Sequence, residues 1–298
     1  MRDCLSRYKK VGMRFGDLYV KEYLGNATYL CECLCGNEIK VKSYDLRPNN
    51  LARSKKHCGC KTHKVKKNEE IFDSIDNENS AYILGFIAAD GHVLCDKSYG
   101  FEISLNEKDI NLLEKIKDAI GSDANIRVYE AKGTFPNGSV KISRACRLSI
   151  HSKKIGNRLK ELGFTENKSL FLDFDVSQLS EKLFFHFLRG VWDGDGSIIC
   201  YKREQIRDAV VCNLVGCKSF LTNIKEELEK YNIHSTLISI KGKNENYIRL
   251  TIKSQIDMKI LLEKMYNNAT IYLDRKFEKK EKALEILNKV INIKNSND

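Results

Sequence analysis

The chain has 298 residues, with 51 Lys and Arg against 40 Asp and Glu, giving a formal net charge of +11. No stretch approaches the apolar length a membrane-spanning helix needs, and the presence of only two prolines suggests compact α/β structure. The positive surplus agrees with a nucleic-acid partner.

That surplus is concentrated at the front. Residues 1–67 hold 16 basic and 6 acidic side chains, whereas the remaining 231 hold 35 and 34. A basic terminus that merely aids solubility is the bland alternative. Five of the eleven cysteines fall in the same stretch: Cys31, Cys33 and Cys35 in YLCECLCGNEIKVKS, then Cys58 and Cys60 in KKHCGCK. Two tight pairs 22 residues apart suit one tetrahedral Zn²⁺, the staple that a module too small for its own core requires. The expected ligands are Cys33, Cys35, Cys58 and Cys60, with Cys31 able to replace one and His57 or His63 as outside candidates. Cys4, Cys95, Cys146, Cys200, Cys212 and Cys217 are scattered, and no apolar signal peptide precedes them. A reducing, cytoplasmic setting is therefore expected, and zinc is favoured over disulfides.

The front module is expected over residues 1–64. Residues 65–79 read as a polar linker anchored by Phe72 and Ile75, with Asn79 or Ser80 capping the helix that follows. That helix ends in ILGFIAADG, Ile83 to Gly91, and a second run, LRGVWDGDG, Leu188 to Gly196, repeats its pattern 105 residues later. Either run alone reads as a helix closing in a turn, with the glycine at positive φ. Both helices are apolar on nearly every side, so they require burial. Gly85 and Gly190 leave bare patches where two backbones can approach. Packed there, the helices would end side by side and bring Asp90 and Asp195 together. Adjacent carboxylates repel unless a cation lies between them, and hard oxygen donors with open positions suit Mg²⁺.

The repeat extends further. CRLSIHS, Cys146 to Ser152, matches IRLTIKS, Ile248 to Ser254; the helical runs IGNRLKELGF and IDMKILLEKMY follow, then ENKSLFLDF with Lys168 and IYLDRKFEK with Lys276. Between these landmarks each copy has two strand-like runs, a helix (EKDINLLEKIKDAIG or KSFLTNIKEELEKYN) and two more strand-like runs. The copies span residues 80–176 and 177–298, the second with a charged, solvated C-terminal helix. One face of each sheet would be open. Asn125, Arg127, Tyr129, Arg147 and His151 in the first copy, and Tyr201, Arg203, Tyr247, Arg249 and Lys253 in the second, are side-chain types that reach base edges and phosphates. A solvent-facing sheet would look the same, so the pattern points to DNA only if the two sheets form one saddle.

On both motif helices, the α-β-β-α-β-β-α order and the lysine-bearing segments, residues 80–290 resemble the LAGLIDADG homing endonucleases in their single-chain, two-motif form. Residues 11–61 resemble a zinc-ribbon-like module at the front of phage and bacterial mobile-element endonucleases. The resemblance implies an α/β (α+β) fold in which two pseudo-symmetric repeats form a DNA-binding β-saddle. It implies two or three Mg²⁺ held at Asp90 and Asp195 with the adjoining Gly91 and Gly196, basic residues Lys168 and Lys276 near them, and Asn106 in the water network. It further implies double-strand DNA cleavage leaving short 3′ overhangs by a monomer, bacterial or phage-encoded and nucleoid-associated. The chain departs at Ala88, where the motif carries an acid that the second copy keeps as Asp193. A non-cleaving DNA-binding regulator and a maturase binding intron RNA share the fold as alternatives. The ends, MRDC and KNSND, are not expected to be protein-splicing ends, although Asn297 keeps an excised intein open as an alternative.

Overall fold

The computed structural model describes residues 10–33, 37–47, 54–59, 65–94, 99–134, 138–165, 171–201 and 209–295, and its two units are Met1–Val65 and Lys66–Asp298.

In the first unit, short alternating runs make an antiparallel sheet of β1 (Arg14–Phe15), β2 (Leu18–Gly25), β3 (Thr28–Cys33) and β4 (Glu38–Lys42), in that order. The β2–β3 hairpin turns through Gly25, Asn26 and Ala27, all at positive φ, as a tight twisted connection requires. Alternation sends Tyr29, Cys31 and Cys33 inward together, against Phe15, Leu18, Val20, Val41 and Leu46, and Cys58 packs partly buried on the same cluster.

The second unit holds the repeat. The first copy runs α1 (Glu78–Asp90), β5 (Gly91–Leu94), β6 (Gly100–Asn106), α2 (Ile110–Ala119), β7 (Arg127–Thr134), β8 (Val140–His151) and α3 (Lys153–Glu161). The second runs α4 (Glu181–Asp195), β9 (Gly196–Tyr201), β10 (Ala209–Cys217), α5 (Lys218–Glu229), β11 (Thr236–Ser239), β12 (Tyr247–Ile252) and α6 (Gln255–Tyr266), followed by α7 (Asp274–Asn295). The sheets, β5-β6-β8-β7 and β9-β10-β12-β11, are antiparallel with the same strand order. Ser104 pairs with Arg147 as Val215 pairs with Arg249, so the copies also agree in register. In β8, Cys146, Leu148 and Ile150 are buried while Arg147, Ser149 and His151 lie on the outer face. One continuous core joins both copies across the motif helices.

Three expectations differ from the structure. Helix α1 starts before Ser80: Asn77 caps it, accepting the Ser80 N–H at 3.0 Å, and Ser80 Oγ returns the contact to the Asn77 N–H at 3.4 Å. Residues 66–79 lie on the second unit. Lys66 N–H donates to Asp123 Oδ1 at 2.7 Å, Asn68 N–H to the Ile120 carbonyl at 2.7 Å, and Phe72 is buried against Phe101. Helix α7 is not simply solvated, because Ala283, Leu287 and Val290 form a buried stripe between its lysines and glutamates. Among the described residues, no helix is long and apolar enough to cross a membrane.

Candidate active site

Helices α1 and α4 cross at their glycines. A Cβ on Gly85 would lie 2.0 Å from the Phe187 carbonyl oxygen, and one on Gly190 would lie 2.1 Å from that of Tyr82. The reciprocal pairing is that of a two-fold axis, and only glycine permits it. The contact continues to the helix ends, where a Cβ on Gly194 would meet Ala89 Cβ at 2.4 Å and Asp90 Oδ2 at 3.3 Å. The carboxylate of Asp90 thus lies against the residue preceding Asp195. Asp90 is exposed and Asp195 half-buried. Each helix runs directly into a strand at Gly91 or Gly196, whose φ values are −76° and −82°. The glycines are therefore not there for positive φ. A side chain would strike the last helical turn, at Ile87 Cα 2.7 Å from Gly91 and at Trp192 Cδ1 2.3 Å from Gly196.

A carboxylate at the C-terminus of each packed helix, where the helix dipoles also favour a cation, provides a hard but incomplete donor set. Among the described residues, no three His, Cys, Asp or Glu side chains group closely enough to cage a metal. Two carboxylate donors are the kind of partial set that Mg²⁺, which keeps waters and bridges to phosphate, can use.

Lys276 projects from the first turn of α7 into the base of α4. It is only 5% exposed and donates to the Trp192 carbonyl at 3.2 Å and to that of Gly196. Burial pulls its pKa down to about 8, against the opposing charges of Asp193 and Asp90. The Gly196 carbonyl, expected among the metal ligands, is thus engaged by an ammonium. The Gly91 N–H closes α1 on the Ile87 carbonyl. Asn106 caps the 3-10 turn after β6, accepting the Lys108 N–H at 3.1 Å, and lines a cleft of 510 Å³ with Asp109, Leu112, Leu273 and Arg275. The cleft sets Asn106 beside the start of α7. In the second copy Cys217 pairs with Tyr247 where Asn106 pairs with Ala145, so the polar residue is not repeated. Tyr247 lies near Asp195, with which it lines a smaller cavity of 130 Å³, and burial followed by the Asp195 charge raises its pKa. Lys168 and Arg203 lie outside the described residues.

The outer faces of the sheets differ. On the first, Arg147 donates to Ser104 Oγ at 2.9 Å and to the Tyr129 hydroxyl at 3.3 Å, and pairs with Glu102 at 3.4 Å; Ser149 also donates to Glu102, at 2.7 Å. Arg127 and His151 are exposed on it, and Asn125 is exposed in the loop before β7. On the second, exposed Arg249 stands between Val215 and Ile238, with Ile199 and Tyr201 exposed further along and Lys253 just beyond β12.

Sequence reasoning missed a buried polar cluster beneath the helix ends. Asp193, wholly buried, accepts from the Tyr82 and Tyr266 hydroxyls at 2.8 Å each and from the Leu273 N–H at 2.7 Å. Arg189, equally buried, pairs with Glu78 at 2.6 Å, donates to the Ile271 carbonyl at 3.0 Å and lies 2.7 Å from His186 Nδ1. The signal was present: two charged residues four apart on an otherwise apolar helix must find partners inside the protein.

In the first unit, Cys31 and Cys33 are buried and Cys58 is half-buried, while Cys35 and Cys60 lie outside the described residues. Burial raises the Cys31 thiol pKa. His57 Nδ1 accepts the Gly59 N–H at 3.1 Å, leaving that nitrogen turned toward its own loop; His63 is outside the described residues.

Residues 184–266 match the family model of the LAGLIDADG-like domain. The tRNA-splicing ligase RtcB of Pyrococcus abyssi is 28% identical over 204 residues, covering 62% of this chain and 21% of the ligase. That of Methanopyrus kandleri is 24% identical over 204 residues, covering 62% and 20%. The chain thus spans about a fifth of the length of the curated relatives it matches. Among solved structures, the LAGLIDADG homing endonuclease I-GzeII in complex with its DNA target has a TM-score of 0.50 and 14% identity over 73% of this chain and 92% of that one. Residues 184–266 are thus similar to a LAGLIDADG-like domain, and the second unit shares the mixed α/β fold of that endonuclease.

Proposed function

We propose that this protein is a site-specific double-strand DNA endonuclease of the homing type, a monomer whose two repeats each serve one strand. The observation that carries the reading is the meeting of Asp90 with the end of α4, produced by the reciprocal glycine-to-carbonyl contacts that also pack the two helices. Asp90 and Asp195 would hold Mg²⁺. When bound, the metal would lower the pKa of the attacking water and stabilise the leaving oxygen. The Lys276 ammonium would offset charge on the phosphate, and Lys168 would do so in the other half by its place in the sequence. Gly91 and Gly196 would bring the turn backbone close to that phosphate. Asn106 would order water beside α7. Cuts one in each strand would leave short 3′ overhangs.

The outer sheet faces would follow the DNA grooves. Arg127, Arg147 and Arg249 can donate to guanine, Asn125 to adenine, and Tyr129, His151, Tyr201, Arg203, Tyr247 and Lys253 can contact base edges or backbone. Their unequal placement favours a long, asymmetric target. The basic first unit would grip backbone beside that target, stapled by one Zn²⁺ on Cys33, Cys35, Cys58 and Cys60. DNA binding is named for the structural neighbour I-GzeII and is proposed here for this chain. RNA ligation is not, since the shared length is about a fifth of each ligase.

The test is incubation with a randomised duplex library in Mg²⁺ or Ca²⁺, followed by sequencing of broken ends. Discrete ends with short 3′ overhangs in Mg²⁺ alone are expected. Enrichment of bound duplexes with no ends in either ion would make the protein a regulator instead.

A further inference from the structure

The polar cluster beneath the helix ends grips one short segment of chain. Residues 270–273 lead into α7 and are held at three points by side chains of the two motif helices. Glu78 of α1 accepts the Thr270 N–H at 2.7 Å and its hydroxyl at 2.8 Å. Arg189 of α4 holds the Ile271 carbonyl at 3.0 Å and is fixed by Glu78. Asp193 holds the Leu273 N–H at 2.7 Å. The Leu273 carbonyl accepts the Lys276 N–H at 2.8 Å, so two successive contacts connect Asp193 to the residue whose ammonium caps the end of α4.

Among the described residues, the other half has no such device. The 105-residue offset between the motifs sets Leu183 opposite Glu78, Leu84 opposite Arg189, Ala88 opposite Asp193 and Phe187 opposite Tyr82. Every counterpart is apolar. An aromatic cluster occupies that half, with Phe174 packed on Phe164 at 5.6 Å and on Phe187 at 5.0 Å between ring centroids. Buried charges are costly to desolvate, and apolar packing serves the stability of a fold as well or better. A fully satisfied ionic cluster on one side only therefore implies a demand for placement that exists on that side only.

We propose that Asp193, together with Glu78 and Arg189, is a positioning clamp for Lys276, and that it serves one of the two strand cuts. The inference deepens the endonuclease reading and rests on it for the strand assignment, whereas the clamp stands on geometry.

The experiment uses the full chain as wild type, Asp193→Asn and Tyr266→Phe. Each is treated with formaldehyde and cyanoborohydride, and methylation is read lysine by lysine by mass spectrometry. Loss of a buried hydrogen bond to a charged group should make Lys276 react about tenfold faster in D193N. Y266F keeps the acid while removing one of its donors, and should give a smaller rise. Lys280, 7% exposed and one turn further along α7, should keep its wild-type rate. Unchanged protection of Lys276 in D193N, or an equal rise at Lys276 and Lys280, would overturn the clamp. In parallel, a duplex cut by the wild type is labelled on each strand. D193N should nick one strand about tenfold more slowly and the other at the wild-type rate. Equal slowing of both strands would overturn the strand assignment. If the wild type cuts no duplex, the endonuclease reading fails while the lysine readout still decides the clamp.

Discussion

His186 illustrates how the buried cluster shapes individual residues. It is 3% exposed, and burial followed by the neighbouring Arg189 guanidinium pulls its pKa down to about 4. The imidazole is therefore neutral when folded and can accept from Arg189. In the unfolded chain it takes up a proton near pH 6.5, so this contribution to stability is complete above pH 6.5 and is lost as pH falls through about 4. The loss should approach about 3 kcal/mol. Urea unfolding at pH 7, 5 and 4 should show the wild type losing that much more stability than H186Q; parallel pH dependence in the two proteins would contradict the assignment. At this scale the repeated spacing pointed to two helix ends that meet, as Asp90 and Gly194 do. It did not disclose that the Gly196 carbonyl is engaged by Lys276, because backbone acceptors leave no mark in a sequence.

At the scale of elements, the glycine pair governs the site. A side chain at Gly190 must displace backbone, the Tyr82 carbonyl, rather than a flexible side-chain tip. G190A should cost about 3 kcal/mol, in the upper range for overpacking, and should part the helix ends. Equilibrium denaturation measures the first effect and loss of cleavage the second; wild-type stability in G190A would contradict the packing. Most elements were legible because helical and alternating patterns were clean, as in α2, α5, β8 and β12. Helix α7 was misjudged because Ala283, Leu287 and Val290 are diluted by lysines and glutamates. Residues 65–79 were read as a linker because only tertiary contacts, such as Phe72 on Phe101, reveal docking of a polar segment.

At the scale of the whole molecule, each of the two units has its own core, and the first is small. If zinc staples the first unit, elemental analysis should find one zinc per chain, and a strong chelator should abolish its structure while the second unit survives. A zinc-free protein with an intact first unit would contradict the proposal.

The repeats share topology and register yet differ in the polarity of their outer faces, and the residues of the ionic cluster beneath Lys276 have apolar counterparts. Pseudo-symmetry is therefore a property of the scaffold, while recognition and positioning are divided between its halves. The central claim is that Asp90 and Asp195 form one two-part centre. The most direct measurement is the strand-resolved cleavage of a selected duplex by wild type, D90N and D195N, with binding followed in Ca²⁺. The account predicts that each variant binds as the wild type does and makes no double-strand break, with cutting reduced by at least about a hundredfold. Wild-type cutting by either variant would contradict it.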